Sequence, residues 1–183
     1  MLDPNAPEEN SDPQSPAGSA GGQGSLADQL KVVARCITAG VPTRVYAVSQ
    51  GGFDTHADEK DAQKSQIGLV DRAVSDFLSQ LAATPRGKDV VVLAYSEFGR
   101  RVQANASQGT DHGTSGPVFV VGQPVKGGFY GEQPSLKDLD NGDLKVNTDF
   151  RSVYAGLLDK VLGGDPSQVL GQTPGGELDL LRT

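Results

Sequence analysis

Two short polar loops each carry a histidine and an aspartate, and these side chains could form a metal site. The chain contains only two histidines. Asp54 lies two residues before His56 in the first loop, and Asp111 directly precedes His112 in the second. Imidazole nitrogens and carboxylate oxygens are common ligands of zinc, manganese and iron, whereas calcium takes oxygen ligands. We therefore expect the loops to converge on one divalent metal, zinc or manganese foremost.

The spacing of Asp54 and His56 suits joint coordination of one ion. In extended backbone, residues two positions apart project to the same side of the chain. Gly51 and Gly52 precede the pair and allow a sharp turn, or a close approach to a ligand. The alternative is a capping aspartate and a hydrogen-bonded surface histidine at a helix start, and the spacing does not decide between the two.

Asp111 and His112 are adjacent, so their side chains diverge in an extended chain. We predict that His112 binds the metal. Asp111 is then either a ligand in a bent loop or the partner that orients an imidazole. Because glycine and threonine flank this pair, a simple polar turn is the alternative.

Glu97 and Arg100 follow the apolar run at residues 90–95. A carboxylate emerging from such a run is unfavourable if it is buried without a partner, so we predict that Glu97 is a further metal ligand. The alternative is a solvated acid, or an ion pair with Arg100 or Arg101. Arg100 has the fork geometry that binds an anionic substrate oxygen, but an arginine just past a strand can equally be structural.

The elements that must position these residues follow from the apolar pattern. Helical spacing predicts helices at residues 25–39, 61–83 and 150–161. Apolar runs predict strands at residues 44–48, 90–95 and 117–121. The run at 90–95 does not alternate, which is typical of a parallel strand covered on both faces. We therefore predict an α/β fold with a mainly parallel sheet flanked by helices.

This fold would also explain where the candidate residues lie. In open parallel sheets, ligands bind beyond the carboxyl ends of the strands. Asp54, His56 and Glu97 all come directly after a predicted strand. The order of elements therefore places the candidate metal ligands where such a fold offers a site.

The composition of the chain limits the classes of partner that it could bind. The formal net charge of −7 argues against nucleic acid, since phosphate binding requires a basic face. No run reaches the about 18 apolar residues of a membrane span. Residues 1–24 are rich in proline, glycine and acids, so we predict a disordered segment there and a domain at 25–183.

Five motifs resemble one bacterial family, the domain of unknown function 1501. They are GGFDTH at 51–56, SEFGRR at 96–101, GTDHGT at 109–114, KGGFYG at 126–131 and TDFRSVY at 148–154. The resemblance extends over about residues 25–164. That family is similar to the alkaline phosphatase and sulfatase superfamily, whose members have an α/β sandwich and a two-metal site.

The resemblance implies specific roles for the candidate residues. Asp54 and His56 would correspond to ligands of one metal, and His112 to the last ligand histidine. Glu97 would stand where an Asp-His pair usually follows a core strand, with Phe98 in place of the histidine. The implied activity is metal-dependent hydrolysis of phosphate or sulfate esters, with a small anionic ester as substrate.

The resemblance also concerns what lies outside this chain. The superfamily's nucleophile lies in an amino-terminal half, so we expect an incomplete, alkaline-phosphatase-like carboxy-terminal portion that is inactive alone. Such a portion would self-associate or require an amino-terminal partner. Family members typically reach the periplasm through a twin-arginine signal, which this chain does not show. The alternative function is a non-catalytic binding or assembly module that retains the fold.

Overall fold

A computed structural model describes residues 24–172 and 175–182 of the chain. Its helices are α1 Leu26–Thr38, α2 Glu59–Ala82, α3 Phe150–Lys160 and α4 Pro166–Leu170. Its strands are β1 Val92–Ala94, β2 Gly99–Ala104, β3 Thr110–Gly113, β4 Phe119–Val121, β5 Leu139–Asp140 and β6 Asp143–Leu144. The predicted disordered segment, except for its last residue, lies outside the described residues.

The three predicted helices are confirmed, and their ends differ from the prediction by at most two residues. Local capping explains the start of α1, because the hydroxyl of Ser25 accepts a hydrogen bond from the backbone N–H of Asp28 at 3.2 Å. Gly40 follows the helix with a φ of +75°, a conformation that glycine adopts without strain. Sequence signals at the two ends of α1 therefore predict its boundaries to within one residue.

Two apolar clusters form the core. The first lies between α1 and α2, and its buried members are Leu26, Leu30, Val33, Ala34, Ala73, Phe77 and Leu81. The second joins α3 to the carboxy-terminal segment through Val153, Leu180 and Leu181. The segment that contains β1 contributes to both: Val90 and Val92 pack on the first cluster, and Val91 and Leu93 on the second. This segment therefore forms a middle layer between two helical layers.

The prediction of a mainly parallel sheet is wrong. β1 pairs antiparallel with β4, with Val92 opposite Val121 and Ala94 opposite Phe119. The pairs β2–β3 and β5–β6 are also antiparallel, and each described sheet has two strands. An unbroken apolar run shows that both faces of a strand are covered, which is true here, but coverage does not determine the direction of the neighbouring strand.

The predicted strand at residues 44–48 is also wrong. The structure forms no strand in this segment, which follows α1. Tyr46 and Val48 pack against the first cluster, whereas Val45 is 65% exposed. The side chains thus alternate as in a strand, but the backbone makes no ladder with a neighbour.

Among the described helices, none has both the length and the apolar composition needed to cross a membrane.

Replacing Leu81 by alanine should destabilise the fold strongly. Leu81 is fully buried between α1 and α2, and such a truncation leaves a cavity that costs about 2–5 kcal/mol. Leu69 lies on the same helix and is 43% exposed, so Leu69→Ala is the matched control and should cost less than about 1 kcal/mol. Urea unfolding of both variants measures the difference, and equal losses would contradict the assigned core.

Asp149 should make the stability of the fold sensitive to acid. Hydrogen bonds from the Arg151 side chain, helped by the Arg151 backbone N–H, lower the pKa of Asp149 from its ordinary 3.8 to about 2. Its ionised form therefore stabilises the folded state above pH 3.8, and that contribution is lost as the pH falls towards 2.

The variant Asp149→Asn tests this pH dependence. It keeps an oxygen that can cap α3 but removes the charge, so its melting temperature should fall less than that of the native protein between pH 5 and pH 2. Thermal unfolding across that range measures both curves. If the melting temperatures of the two proteins fall in parallel, the Asp149–Arg151 pair does not contribute to the pH dependence of stability.

Candidate metal centre

The second histidine lies on a β-hairpin rather than in a loop. β2 and β3 pair with Arg100 opposite His112 and Gly99 opposite Gly113. The sequence predicts a polar loop up to Thr110, because these strands lack the apolar alternation of a half-buried sheet. The hairpin places Asp111 and His112 beside the segment that carries the first pair.

Asp54, His56 and His112 come together in the structure. Asp54 Oδ1 lies 2.7 Å from His112 Nε2 and 3.3 Å from His56 Nε2. One ligand atom from each of the three residues lies within 4.8 Å of the other two. The two imidazole rings have centroids 4.9 Å apart. The two segments therefore converge as expected, while metal binding itself stays a prediction.

Asp111 contacts the far side of the first imidazole. Its Oδ1 lies 3.3 Å from His56 Nδ1, while His56 Nε2 faces Asp54. A carboxylate on the second ring nitrogen is the arrangement that orients histidine ligands in metal sites. Of the two predicted roles for Asp111, this contact favours the orienting one.

Asn105 supports the same arrangement and was not anticipated from the sequence. Its side-chain amide donates to Asp111 Oδ1 at 3.3 Å and to the carbonyl of His56 at 3.0 Å. Its own oxygen accepts from the backbone N–H groups of Ser107 and Gly109. An asparagine in a polar turn that ends in glycine is an Asx-turn signal, which could have identified the turn but not the contacts with the site.

Both aspartates are held in the ionised form. The hydrogen bond from His112 is the main cause that lowers the pKa of Asp54. The hydrogen bond from Asn105, followed by that from His56, lowers the pKa of Asp111. The Asp54 side chain is 69% exposed, and the two imidazoles are 48% and 43% exposed. Both carboxylates at the cluster are therefore negatively charged, and the cluster is open to solvent.

Phe98 covers one face of the second imidazole. Its ring stacks on His112 with centroids 3.9 Å apart and planes inclined by 8°. His112 thus contacts both the Phe98 ring and the His56 ring. This stacking restricts the orientation of the His112 ring.

Glu97 and Arg100 do not join the cluster. Glu97 is exposed and lies outside the group formed by the three ligand candidates. Arg100 donates hydrogen bonds of 2.5–2.6 Å to three backbone carbonyls, those of Phe53, Thr55 and Thr110. These contacts favour the structural alternative for Arg100, and its role in binding an anion stays a prediction.

Glu59 is a second residue that the sequence did not single out. It is 9% exposed, and its Oε2 accepts from both the backbone N–H and the hydroxyl of Thr110 at 2.6 Å. Its Oε1 lies 3.4 Å from Arg100 Nε. A glutamate in the first turn of a helix is normally solvated, so the sequence gives no signal that this one is buried.

Fold and site together define a layered protein of helices and short antiparallel strands with an exposed Asp-His-His cluster. The sequence model of the family described as "Protein of unknown function (DUF1501)" matches residues 7–180, and the chain belongs to this family. The resemblance carried by the five motifs is thus confirmed for the family. No curated protein and no solved structure matches the chain.

Replacing Gly109 by alanine should disturb the cluster. A Cβ at this position would meet the backbone carbonyl of His56 at 2.4 Å, so the hairpin could no longer approach the first segment. We expect a loss of about 1–3 kcal/mol in the free energy of unfolding. Gly127→Ala is the control, because a Cβ there meets nothing within 4 Å. Urea unfolding measures both variants, and a Gly109→Ala protein as stable as the control would contradict this close approach.

Proposed function

We propose that the chain binds a divalent metal through Asp54, His56 and His112 and serves metal-dependent hydrolysis of phosphate or sulfate esters. The observation that carries the proposal is the convergence of three ligand atoms within 4.8 Å from two segments far apart in the sequence. The choice of ester chemistry rests on the expected similarity of this family to the alkaline phosphatase and sulfatase superfamily.

The donor set fits a catalytic rather than a structural metal. Two imidazole nitrogens and one carboxylate oxygen match zinc sites that have three protein ligands and an open position. Manganese and iron accept the same donors. Because all three residues are exposed, a substrate oxygen has access to the site.

The residues of the chain would prepare this site. Asp111 holds His56 Nδ1, so that Nε2 faces the cluster. Phe98 restricts the ring of His112, and the lowered pKa of Asp54 keeps its carboxylate ionised and ready to bind a cation. A bound divalent ion would supply Lewis acidity, which stabilises negative charge on the ester oxygens.

One observation favours the second candidate function, a non-catalytic binding or assembly module. Arg100, the residue expected to hold the substrate anion, uses its donors on backbone carbonyls. A site that binds metal without this arginine would lack one of the groups expected to stabilise a transition state.

Metal binding is the first test. Dialysed protein titrated with Zn²⁺ or Mn²⁺ should bind one ion per chain, and His56→Ala and His112→Ala should each abolish binding in protein that remains folded. Glu97→Gln is the matched control, because Glu97 is also exposed but lies outside the cluster. Isothermal titration measures all four proteins. Absence of binding by the native protein would remove the proposal.

Anion binding and turnover separate the two candidate functions. The metal-loaded protein should bind inorganic phosphate or sulfate, and chelation should abolish this binding. A family member that carries the superfamily's nucleophile should hydrolyse generic phosphate or sulfate monoesters in a chelator-sensitive manner. Metal binding without anion binding or turnover would instead favour the non-catalytic module.

A further inference from the structure

We propose that Glu59 and Arg100 are positioning residues that lock the segment carrying Asp54 and His56 onto the β2–β3 hairpin. Through this contact the pair sets the geometry of the candidate ligands before any metal binds. The part of the inference that concerns metal affinity rests on the proposed function, whereas the part that concerns ligand geometry does not.

Arg100 bridges the two ligand-bearing segments. Its Nη2 donates to the carbonyl of Phe53, and its Nη1 donates to the carbonyls of Thr55 and Thr110. The first two carbonyls belong to the residues on either side of Asp54, and Thr55 also directly precedes His56. One guanidinium therefore fixes the backbone on both sides of a ligand candidate. The planar fork of arginine suits such a contact, because its donors have fixed relative directions.

Glu59 completes the bridge from the other side. Its carboxylate accepts two hydrogen bonds from Thr110, and it faces Arg100 Nε at 3.4 Å. Thr110 directly precedes Asp111 and lies two residues before His112. The glutamate and the arginine thus hold the same hairpin residue, one through its N–H and hydroxyl and the other through its carbonyl.

The backbone of Glu59 is itself anchored to the hairpin. The N–H of Asp58 donates to the carbonyl of Ser107 at 3.0 Å, and the N–H of Glu59 donates to the carbonyl of Gln108 at 3.1 Å. These N–H groups at the start of α2 would otherwise lack helical partners. The β2–β3 turn therefore caps α2, and Glu59 enters the bridge from a fixed position.

Burial makes the two charges depend on each other. The side chains of Arg100 and Glu59 are 19% and 12% exposed. A charge removed from water is unfavourable unless it is paired and hydrogen-bonded. The ligand candidates are exposed by contrast, so the buried part of the site is the pair and not the ligands.

The two histidines provide a direct reporter of ligand geometry. Because the chain contains no others, two imidazole spin systems report on His56 and His112 in isotope-labelled, metal-free protein. The rings are 4.9 Å apart, so a nuclear Overhauser effect between them is expected in the native protein. Arg100→Gln and Glu59→Gln should each abolish it.

The control is Arg101→Gln. Arg101 is the next residue on β2, its side chain is 42% exposed, and its guanidinium contacts Asp143 at 3.3 Å and the carbonyl of Asn141 rather than the backbone of the ligand-bearing segments. This variant loses an arginine and an ion pair from the same strand but should keep the contact between the imidazoles. Arg100→Lys keeps the positive charge but lacks the planar guanidinium with its several N–H donors. It should therefore lose the contact between the imidazoles, as Arg100→Gln does.

Metal titration adds the functional readout. Residues that orient metal ligands typically change affinity by about 10–100-fold when they are replaced. We therefore expect Zn²⁺ to bind at least about tenfold more weakly to Arg100→Gln and Glu59→Gln, and unchanged to Arg101→Gln. Circular dichroism establishes that each variant is folded.

Each outcome decides a different point. If folded Arg100→Gln and Glu59→Gln proteins keep the contact between the imidazoles, or if the native protein binds Zn²⁺ and the variants bind it equally tightly, the positioning role is overturned. If the native protein binds no metal but the variants lose the contact, the positioning role is supported and the proposed function fails.

A milder variant covers the case in which both replacements unfold the protein. Thr110→Val removes only the hydroxyl that donates to Glu59 at 2.6 Å and keeps the shape of the side chain. The contact between the imidazoles should weaken, and Zn²⁺ affinity should fall in the same direction as for the other variants. An unchanged contact in this protein would overturn the inference.

Discussion

The candidate site depends on a buried ion pair beneath it. Arg100 and Glu59 lie where the start of α2, the segment after Gly52 and the β2–β3 hairpin meet, and their hydrogen bonds end on backbone atoms of both ligand-bearing segments. A charged group that is largely removed from water must find partners within the protein. Most of the partners are backbone carbonyls and the N–H of Thr110 in the two ligand-bearing segments, joined by the side chains of Thr110 and Gln63. Satisfying the pair therefore requires the two loops to approach each other.

The exposed ligands and the buried support have different physical roles. Asp54, His56 and His112 can exchange protons and ligands with solvent because they are exposed, and without a cation the carboxylate is satisfied by the imidazoles. A metal would have to displace those hydrogen bonds, so its affinity depends on competition with protons. Asp111, Asn105 and Phe98 limit how far the rings can turn during that exchange. The rigidity of the site therefore comes from its neighbours.

The contacts of His112 with Asp54 and of His56 with Asp111 join distant segments, so the short motifs did not give them. Local patterns predicted the helices, because those signals are contained in short stretches of sequence. The Ser25 cap and the apolar stripe of α1 are of this kind. The direction of the strand paired with β1 depends on a contact between distant segments, so the apolar run could not give it. The same limit applies to Glu59 and Arg100, whose partners lie far away along the chain. Glu97 follows an apolar run but lies outside the three-residue group, and its role as a metal ligand stays a prediction.

The negative charge of the chain and of the cluster links metal binding to the binding of an anionic ester. The chain carries a formal net charge of −7, and two ionised aspartates lie at the cluster, so these residues by themselves disfavour an anion there. Arg100 is turned towards backbone carbonyls and does not offset these carboxylates at the surface. The positive charge that would attract a phosphate or sulfate ester must then come from the bound ion itself. Under the proposed function, metal binding therefore precedes substrate binding, and the residues that set ligand geometry indirectly control both.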